Sequence, residues 1–484
     1  MAQQVAQLEP TSLWTQFSEL TTVPRPSKRE EQVRQWVRDW AEKHQFSLVS
    51  DTIGNIVVRV PATPGRENAA TIILQSHLDM VCEKNRDVEH DFDKDPIRTE
   101  VRDGWVHALG TTLGADNGIG VAASMAAATD PSVIHGPLEL LFTTDEETGL
   151  TGAAQLDASL LSGRILLNLD TEEDGVICIG CAGGADTLID LPLTRGAAKT
   201  NHRLDLRGLR GGHSGMNIHE NRGNAIRLLA RVIDDAARKG LLRSLASLNG
   251  GSKSNAIPRE AEAQIGVDEQ SMAQWQEHLA HWRRQFAQEL AGIDEGIELQ
   301  LVADQPHTAL DDASQRRLLG LVLALPHGVL AMSQTIDDLV ESSSNVASVT
   351  CSDELAHIVT SSRSSLGPAL RGVTTMIRAA AELAGAKSTL DDSYPGWQPN
   401  PQSPVTAKLK GVFETLWKES PRILAVHAGL ECGLLGERIG DLDMVSFGPT
   451  IQGAHSPDEC VHIEAVEKFW KTLAAALETL SATE

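Results

Sequence analysis

The chain has no surplus of basic charge, no membrane-length apolar run and no paired cysteine framework. Its 42 lysines and arginines face 66 aspartates and glutamates, a net charge of −24. A nucleic acid or an anionic membrane recruits a basic surface, so neither is expected as a partner. No apolar stretch approaches the ~20 residues of a transmembrane helix. The run Leu318–Leu325 is cut short by Pro326. The first residues carry neither a basic stretch nor an apolar core of a secretory leader, so a cytoplasmic location is expected. The six cysteines are scattered, as suits a reducing compartment. Cys178-Ile-Gly-Cys181 has no second pair to complete a zinc knuckle. With Gly180, Gly183 and Gly184 around it, the segment reads as a tight turn leaving a strand, its thiols buried. No internal repeat or low-complexity segment stands out.

What is present is a set of five metal-type ligands: His77, Asp116, Glu147, Asp170 and His455. Ala70–Gln75 is an apolar run ending in Ser76-His77-Leu78-Asp79. Leu138–Thr143 runs into Asp145-Glu146-Glu147, and Ile165–Leu169 into Asp170. Met444–Gly448 leads to the loop carrying His455. Such runs read as parallel strands buried on both faces, and ligands bind beyond the carboxyl ends of such strands. Asp116, in Gly114-Ala-Asp-Asn-Gly118, opens the small-residue helix Ile119–Ala128.

The pattern predicts an α/β fold: a mixed, mostly parallel sheet flanked by helices, interrupted by an α+β block. Helix Glu30–His44 and strand Asn55–Val60 belong to the first part, residues 1–186. The insertion, 187–396, holds strands His202–Leu209, Glu260–Val267 and Ile297–Val302. Its helix Asn224–Lys239 carries Ile226, Leu229, Val232, Ile233 and Ala236 on one stripe. Val346–Thr350 and His357–Ser361 form a hairpin, and helix Pro368–Ala384 follows. Residues 397–484 return to the first domain, because His455 must join ligands that precede the insertion.

The chemistry follows from residue types. His77 and Asp79 share a face on an extended strand end, and a metal-bound imidazole donates its other N–H to a carboxylate such as Asp79. Of the adjacent Glu146 and Glu147, one can bind metal while the other faces the reacting water. Two Zn²⁺ (+4) against Asp116, Glu147 and Asp170 (−3) are neutralised by one bridging hydroxide, available at neutral pH once its pKa falls to ~7. Nitrogen and oxygen ligands without thiolate also admit Co²⁺ or Mn²⁺.

These motifs resemble the co-catalytic zinc peptidases, the superfamily of carboxypeptidase G, aminoacylase, tripeptidase T and carnosinase. The aminoacyl-histidine dipeptidases are the closer match. It is carried by His77-Leu-Asp-Met-Val, Gly110-Thr-Thr-Leu-Gly-Ala-Asp-Asn-Gly-Ile-Gly and Gly208-Leu-Arg-Gly-Gly-His213-Ser-Gly. Further motifs are Asn255-Ala-Ile-Pro-Arg-Glu-Ala, Tyr394-Pro-Gly-Trp-Gln-Pro, His427-Ala-Gly-Leu-Glu-Cys-Gly-Leu and Phe447-Gly-Pro-Thr-Ile-Gln-Gly-Ala-His-Ser-Pro-Asp-Glu.

The resemblance implies that Asp116 bridges two metals and that the Asp116–Asn117 peptide is cis. One zinc takes His77 and Asp170, the other Glu147 and His455, with Glu146 as general base and then acid. The insertion becomes a lid through which two copies form a homodimer. His213 stabilises the oxyanion, commonly in the partner subunit's site, while Asn255 and Arg363 hold the substrate, Arg363 by its carboxylate. Glu431 falls at the mouth of the site. Asp145 stands where several relatives carry an uncharged residue, and an extra carboxylate there is expected to raise Glu146. The implied substrate is an unblocked dipeptide of the Xaa-His class. N-acyl-amino-acid deacylase and tripeptidase are the alternatives, and a silent scaffold has no use for an unliganded Glu146.

Overall fold

The computed structural model describes residues 2–482. It parts into two units. The first comprises Met1–Gly180, Trp397–Ala425 and Leu430–Glu484, the second Cys181–Gly396 and Val426–Gly429.

The first unit is built on a mixed sheet whose middle is parallel. Leu138–Thr143, Ile72–His77, Ile165–Asn168 and Asp443–Ser446 lie side by side in that order and point the same way. Ile56–Val60 and Ser47–Ser50 extend one edge antiparallel. Every residue of Ile72–His77 and Leu138–Thr143 is buried. That two-sided burial is why these strands read as continuous apolar runs rather than alternating ones. The helix Ala115–Thr129 packs on the Ile72–His77 strand and is buried through Ala127, which its run of small residues permits.

The second unit is an antiparallel sheet with helices packed on it. In Gly183–Pro192 burial alternates from Asp186 onward, as in a strand with one covered face. The helix Ala225–Arg238 turns the predicted stripe inward: Ile226, Leu229, Val232, Ile233 and Ala236 are fully buried. Asn224 caps it by accepting the Arg227 N–H at 3.2 Å.

The structure amends the sequence reading in four places. The hairpin is longer, Val340–Cys351 with Leu355–Ser364. The units part at Gly180 rather than after residue 186, because Gly183–Pro192 pairs along its whole length with Leu355–Ser364. Val426–Gly429 joins the second unit, where the carbonyls of Val426 and Ala428 accept the Ala182 N–H. The Cys178–Cys181 segment is also no turn. Val176–Cys181 is a fully buried strand, and both thiols are buried. Its glycines answer to close packing: a Cβ at Gly180 would stand 2.5 Å from the Pro399 ring.

Candidate metal centre

The parallel register sets three chain ends that carry candidate ligands abreast. His77 ends its strand, Asp170 follows Asn168 by two residues, and Glu147 follows Thr143 by four. Asp116 enters from the start of its helix, where Asp116 and Asn117 depart from helical φ/ψ and their peptide is cis. His455 comes from the loop after Asp443–Ser446, in a left-handed conformation (φ 64°).

All five candidate ligands meet. His77 Nε2 lies 3.0 Å from Asp116 Oδ1 and 3.5 Å from Asp170 Oδ1. His455 Nε2 lies 3.2 Å from Asp116 Oδ2 and 3.0 Å from Glu147 Oε2. The two Asp116 oxygens thus face two separate pairs, His77 with Asp170 and His455 with Glu147. The ligand atoms within each group of three lie within 4.8 Å of one another. This nitrogen–oxygen donor set fits two divalent ions with Asp116 between them. Three carboxylates against two imidazoles leave a negative excess that such cations would balance.

The electrostatics reflect that excess. Burial alone would lower the His77 imidazole, but Asp170, Asp116 and Asp79 raise it well above its ordinary value. Asp116 and Glu147 hold the His455 proton up to about 11. Burial, with Asp170, Glu431 and Glu147 nearby, pushes the Glu146 carboxyl well above its ordinary range despite His77. A carboxylate so placed is a stronger base than a free one.

Asp79 has more than one partner. His77 Nδ1 is 3.1 Å from its carbonyl oxygen and 3.5 Å from its carboxylate. The carboxylate accepts the N–H groups of Glu146 (3.0 Å) and Glu147 (3.2 Å) and the Ser27 hydroxyl (2.7 Å). Burial would raise this acid, but His77, the Glu146 N–H and Ser27 outweigh it and hold Asp79 at about 2. Asp79 therefore serves both elements, its carbonyl facing His77 Nδ1 and its carboxylate holding the turn that carries the two glutamates.

Two positions differ from expectation. Asp145 is turned away from Glu146 and accepts the Thr148 and Thr151 hydroxyls, each at 2.5 Å. The acids that raise Glu146 are Asp170, Glu431 and Glu147. Glu431 is at the floor of the centre, not its mouth. It is fully buried, and Gln75 Nε2 and Thr143 Oγ1 donate to it at 2.6 and 2.7 Å. Gln75 and Asn168 stand two residues before His77 and Asp170, on the same faces of adjacent strands, and are bonded to each other at 2.5 Å. Burial raises Glu431 to about 7.

Two further residues escaped the sequence reading. The Glu459 carboxylate accepts four successive N–H groups: Leu113 and Gly114 at 2.7 and 2.9 Å, Ala115 and Asp116 at 2.7 and 3.3 Å. It ties the His455 loop to the Asp116 turn. Arg25, buried, donates to the carbonyls of Leu78 (3.0 Å), Asp79 (2.9 Å) and Gly114. The available signals were an acid four residues past the candidate ligand His455, and an arginine set between Pro24 and Pro26.

His213, Asn255 and Arg363 belong to the second unit. His213 pairs with Ala256 across a two-residue ladder, beside Asn255, whose carbonyl accepts the Ser214 N–H at 2.8 Å. His213 and Asn255 line one cleft of about 630 Å³. His213 Nδ1 accepts the N–H groups of Gly215 and Met216 at 3.1 and 3.0 Å. Its proton therefore sits on Nε2. Burial and the Arg363 charge lower its pKa, keeping the ring neutral. Arg363 is 7% exposed; its Nη1 donates to the Tyr394 hydroxyl at 2.9 Å, and its Nε has no partner. Among the described residues no carboxylate pairs with it.

The class this fold and centre define is a metal-dependent amide hydrolase, and comparison gives the family. Residues 73–479 match the model of peptidase family M20/M25/M40, and the chain belongs to that family as a hydrolase of the peptidase class. It is 42% identical to the cytosol non-specific dipeptidase of Escherichia coli (strain K12), over 99% of both chains. The crystal structure of aminoacylhistidine dipeptidase from Vibrio alginolyticus superposes with a TM-score of 0.91 at 40% identity, covering 98% of this chain and 97% of that one. The aminopeptidase PepT of Bacillus cereus shares the fold, with a TM-score of 0.58 at 16% identity over 98% of this chain and 100% of that one.

Proposed function

We propose that the chain is a dipeptidase that hydrolyses unblocked dipeptides, Xaa-His among them, using two zinc ions. The carrying observation is the shared Asp116 carboxylate, each oxygen facing its own histidine–carboxylate pair. Zinc bound there supplies Lewis acidity and a water of lowered pKa; cobalt or manganese suits the same donors. Names of relatives support the substrate class: one is a dipeptidase, another an aminoacylhistidine dipeptidase.

The roles of the chain's own groups follow from their chemistry. His77 and Asp170 would hold one ion and Glu147 and His455 the other, with Asp116 contributing to each. Glu146 takes a proton from the attacking water and returns it to the leaving amine. Asp79 keeps the His77 ring and the Glu146–Glu147 turn in place. His213, with its proton on Nε2, is a neutral donor suited to the developing oxyanion. Arg363, a buried guanidinium without an anion, suits the substrate's terminal carboxylate, and Asn255 lines the cleft that holds the peptide. We further propose that the chain acts in the cytoplasm as a homodimer through its second unit. Among the described residues no helix is long and apolar enough to cross a membrane.

Initial rates on glycyl-histidine, on its N-acetyl derivative and on a tripeptide test the substrate class. Preference for the free dipeptide is the predicted result. Preference for the N-acetyl compound would make the chain a deacylase.

A further inference from the structure

Ser343, Arg363, Gly184 and Tyr394 stand in one row across four adjacent strands of the second unit. Residues directly opposite in a sheet project from the same face, so the row sets Arg363 and Tyr394 on one side with a glycine between them. Gly184 leaves the gap that the Tyr394 ring fills. A Cβ there would stand 2.5–2.7 Å from ring atoms and the hydroxyl, and one at Gly429 would stand 3.0 Å from the other edge. The ring is thus wedged between two glycines, its hydroxyl delivered to Arg363 Nη1 at 2.9 Å.

A phenol has one donor and two acceptor positions. Tyr394 spends an acceptor position on Arg363, and none of the described hydrogen bonds uses its proton. Arg363 keeps an unpartnered Nε. His427, bonded to Ser343 at 2.7 Å, closes the end of the row. Burial, then the Arg363 charge, lowers His427 to about 4, so Arg363 is the fixed cation here. Burial raises the Tyr394 phenol, which keeps its proton in place.

We propose that Tyr394 is the second arm of a carboxylate clamp: it fixes the Arg363 guanidinium and donates its own O–H to the terminal carboxylate of the substrate. This rests on the reading that Arg363 binds that carboxylate. It also accounts for Gly183-Gly184 and Tyr394-Pro-Gly, which the hydrolytic chemistry leaves unused.

The test is kcat/KM for glycyl-histidine and for its C-terminal amide, in wild type, Tyr394→Phe and Gly184→Ala, with circular dichroism confirming that each variant is folded. Phenylalanine keeps the ring and removes the hydroxyl. The acid-to-amide ratio is expected to fall about tenfold or more in Tyr394→Phe, the scale of a lost hydrogen bond to a charged group. Gly184→Ala, which pushes the ring out of its slot, should shift the ratio the same way. A folded Tyr394→Phe protein with the wild-type ratio overturns the clamp while leaving the Arg363 reading intact. A wild-type protein that hydrolyses acid and amide equally overturns the Arg363 reading and the clamp with it.

Discussion

Replacing Glu459 by glutamine should loosen the metal centre without touching a metal ligand. Its carboxylate takes four consecutive N–H groups at the start of the Ala115–Thr129 helix, where a negative charge is favoured. Desolvating a carboxylate costs several kcal/mol; burial raises the Glu459 carboxyl above its ordinary value and the N–H donors pull it back only part of the way, so each donor matters. Glutamine keeps one oxygen. Two of the four N–H groups then meet an amide NH₂ and stay buried without an acceptor, at about 1–3 kcal/mol each. The sum, about 2–6 kcal/mol, is a large share of a typical folding stability of about 5–15 kcal/mol. Alanine, which strands all four, should cost more than glutamine. Because the last of the four is the N–H of Asp116, the loss should also appear as weaker retention of metal. Urea unfolding of apo and zinc-loaded protein, with metal content after gel filtration, measures both. A Glu459→Gln protein with the wild-type urea midpoint and wild-type metal content would refute the reasoning.

Other outcomes follow from the same geometry. Glu146→Gln should retain zinc, measured by atomic absorption, while turnover falls at least about 100-fold; activity within tenfold of wild type would remove Glu146 as the base. His427 has a folded pKa of about 4 against an ordinary 6.5, so the folded state binds its proton less readily than the unfolded chain. Its contribution is present above pH 6.5 and is lost as pH falls toward 4, at up to about 1.4 kcal/mol per pH unit. His427→Asn should flatten the pH dependence of unfolding in that window, and identical slopes in the two proteins would contradict it. Cys178, Cys181, Cys432 and Cys460 are buried, while burial raises the half-buried Cys82 thiol to about 11 and also raises Cys351. A thiol reagent at pH 8 should therefore label the native protein slowly and all six cysteines only after denaturation; rapid labelling of Cys178 or Cys181 would show that their strand is not packed as described.

The strand ends were legible because two-sided burial forces a largely apolar run, and each run gives way to an acid or imidazole within a few residues of its end. His77, Glu147 and Asp170 could be placed in this way. The stripe Ile226–Ala236 was legible because one helical face packs against the sheet. Contacts between residues far apart in sequence were not. Glu459 meets the Leu113–Asp116 turn from more than 340 residues away, and its place four residues past His455 does not by itself say which turn it serves. Glu431, in Leu-Glu-Cys-Gly, reads from the sequence as a residue at the mouth of the site, but its partners Gln75 and Thr143 lie inside two buried strands. Asp145 looked like an electrostatic neighbour of Glu146 by adjacency, yet its left-handed backbone (φ 51°) aims it at two threonines. The glycines after Cys181 signalled a turn by composition, whereas the fold uses Gly184 to seat the Tyr394 ring.

The most direct test of the central claim is glycyl-histidine hydrolysis by purified protein before chelation, after chelation, and after return of zinc, with metal counted at each stage. The account predicts activity lost with the metal and regained as two zinc ions per chain return. Full hydrolysis by metal-free protein, or full activity restored by a single ion, would contradict it.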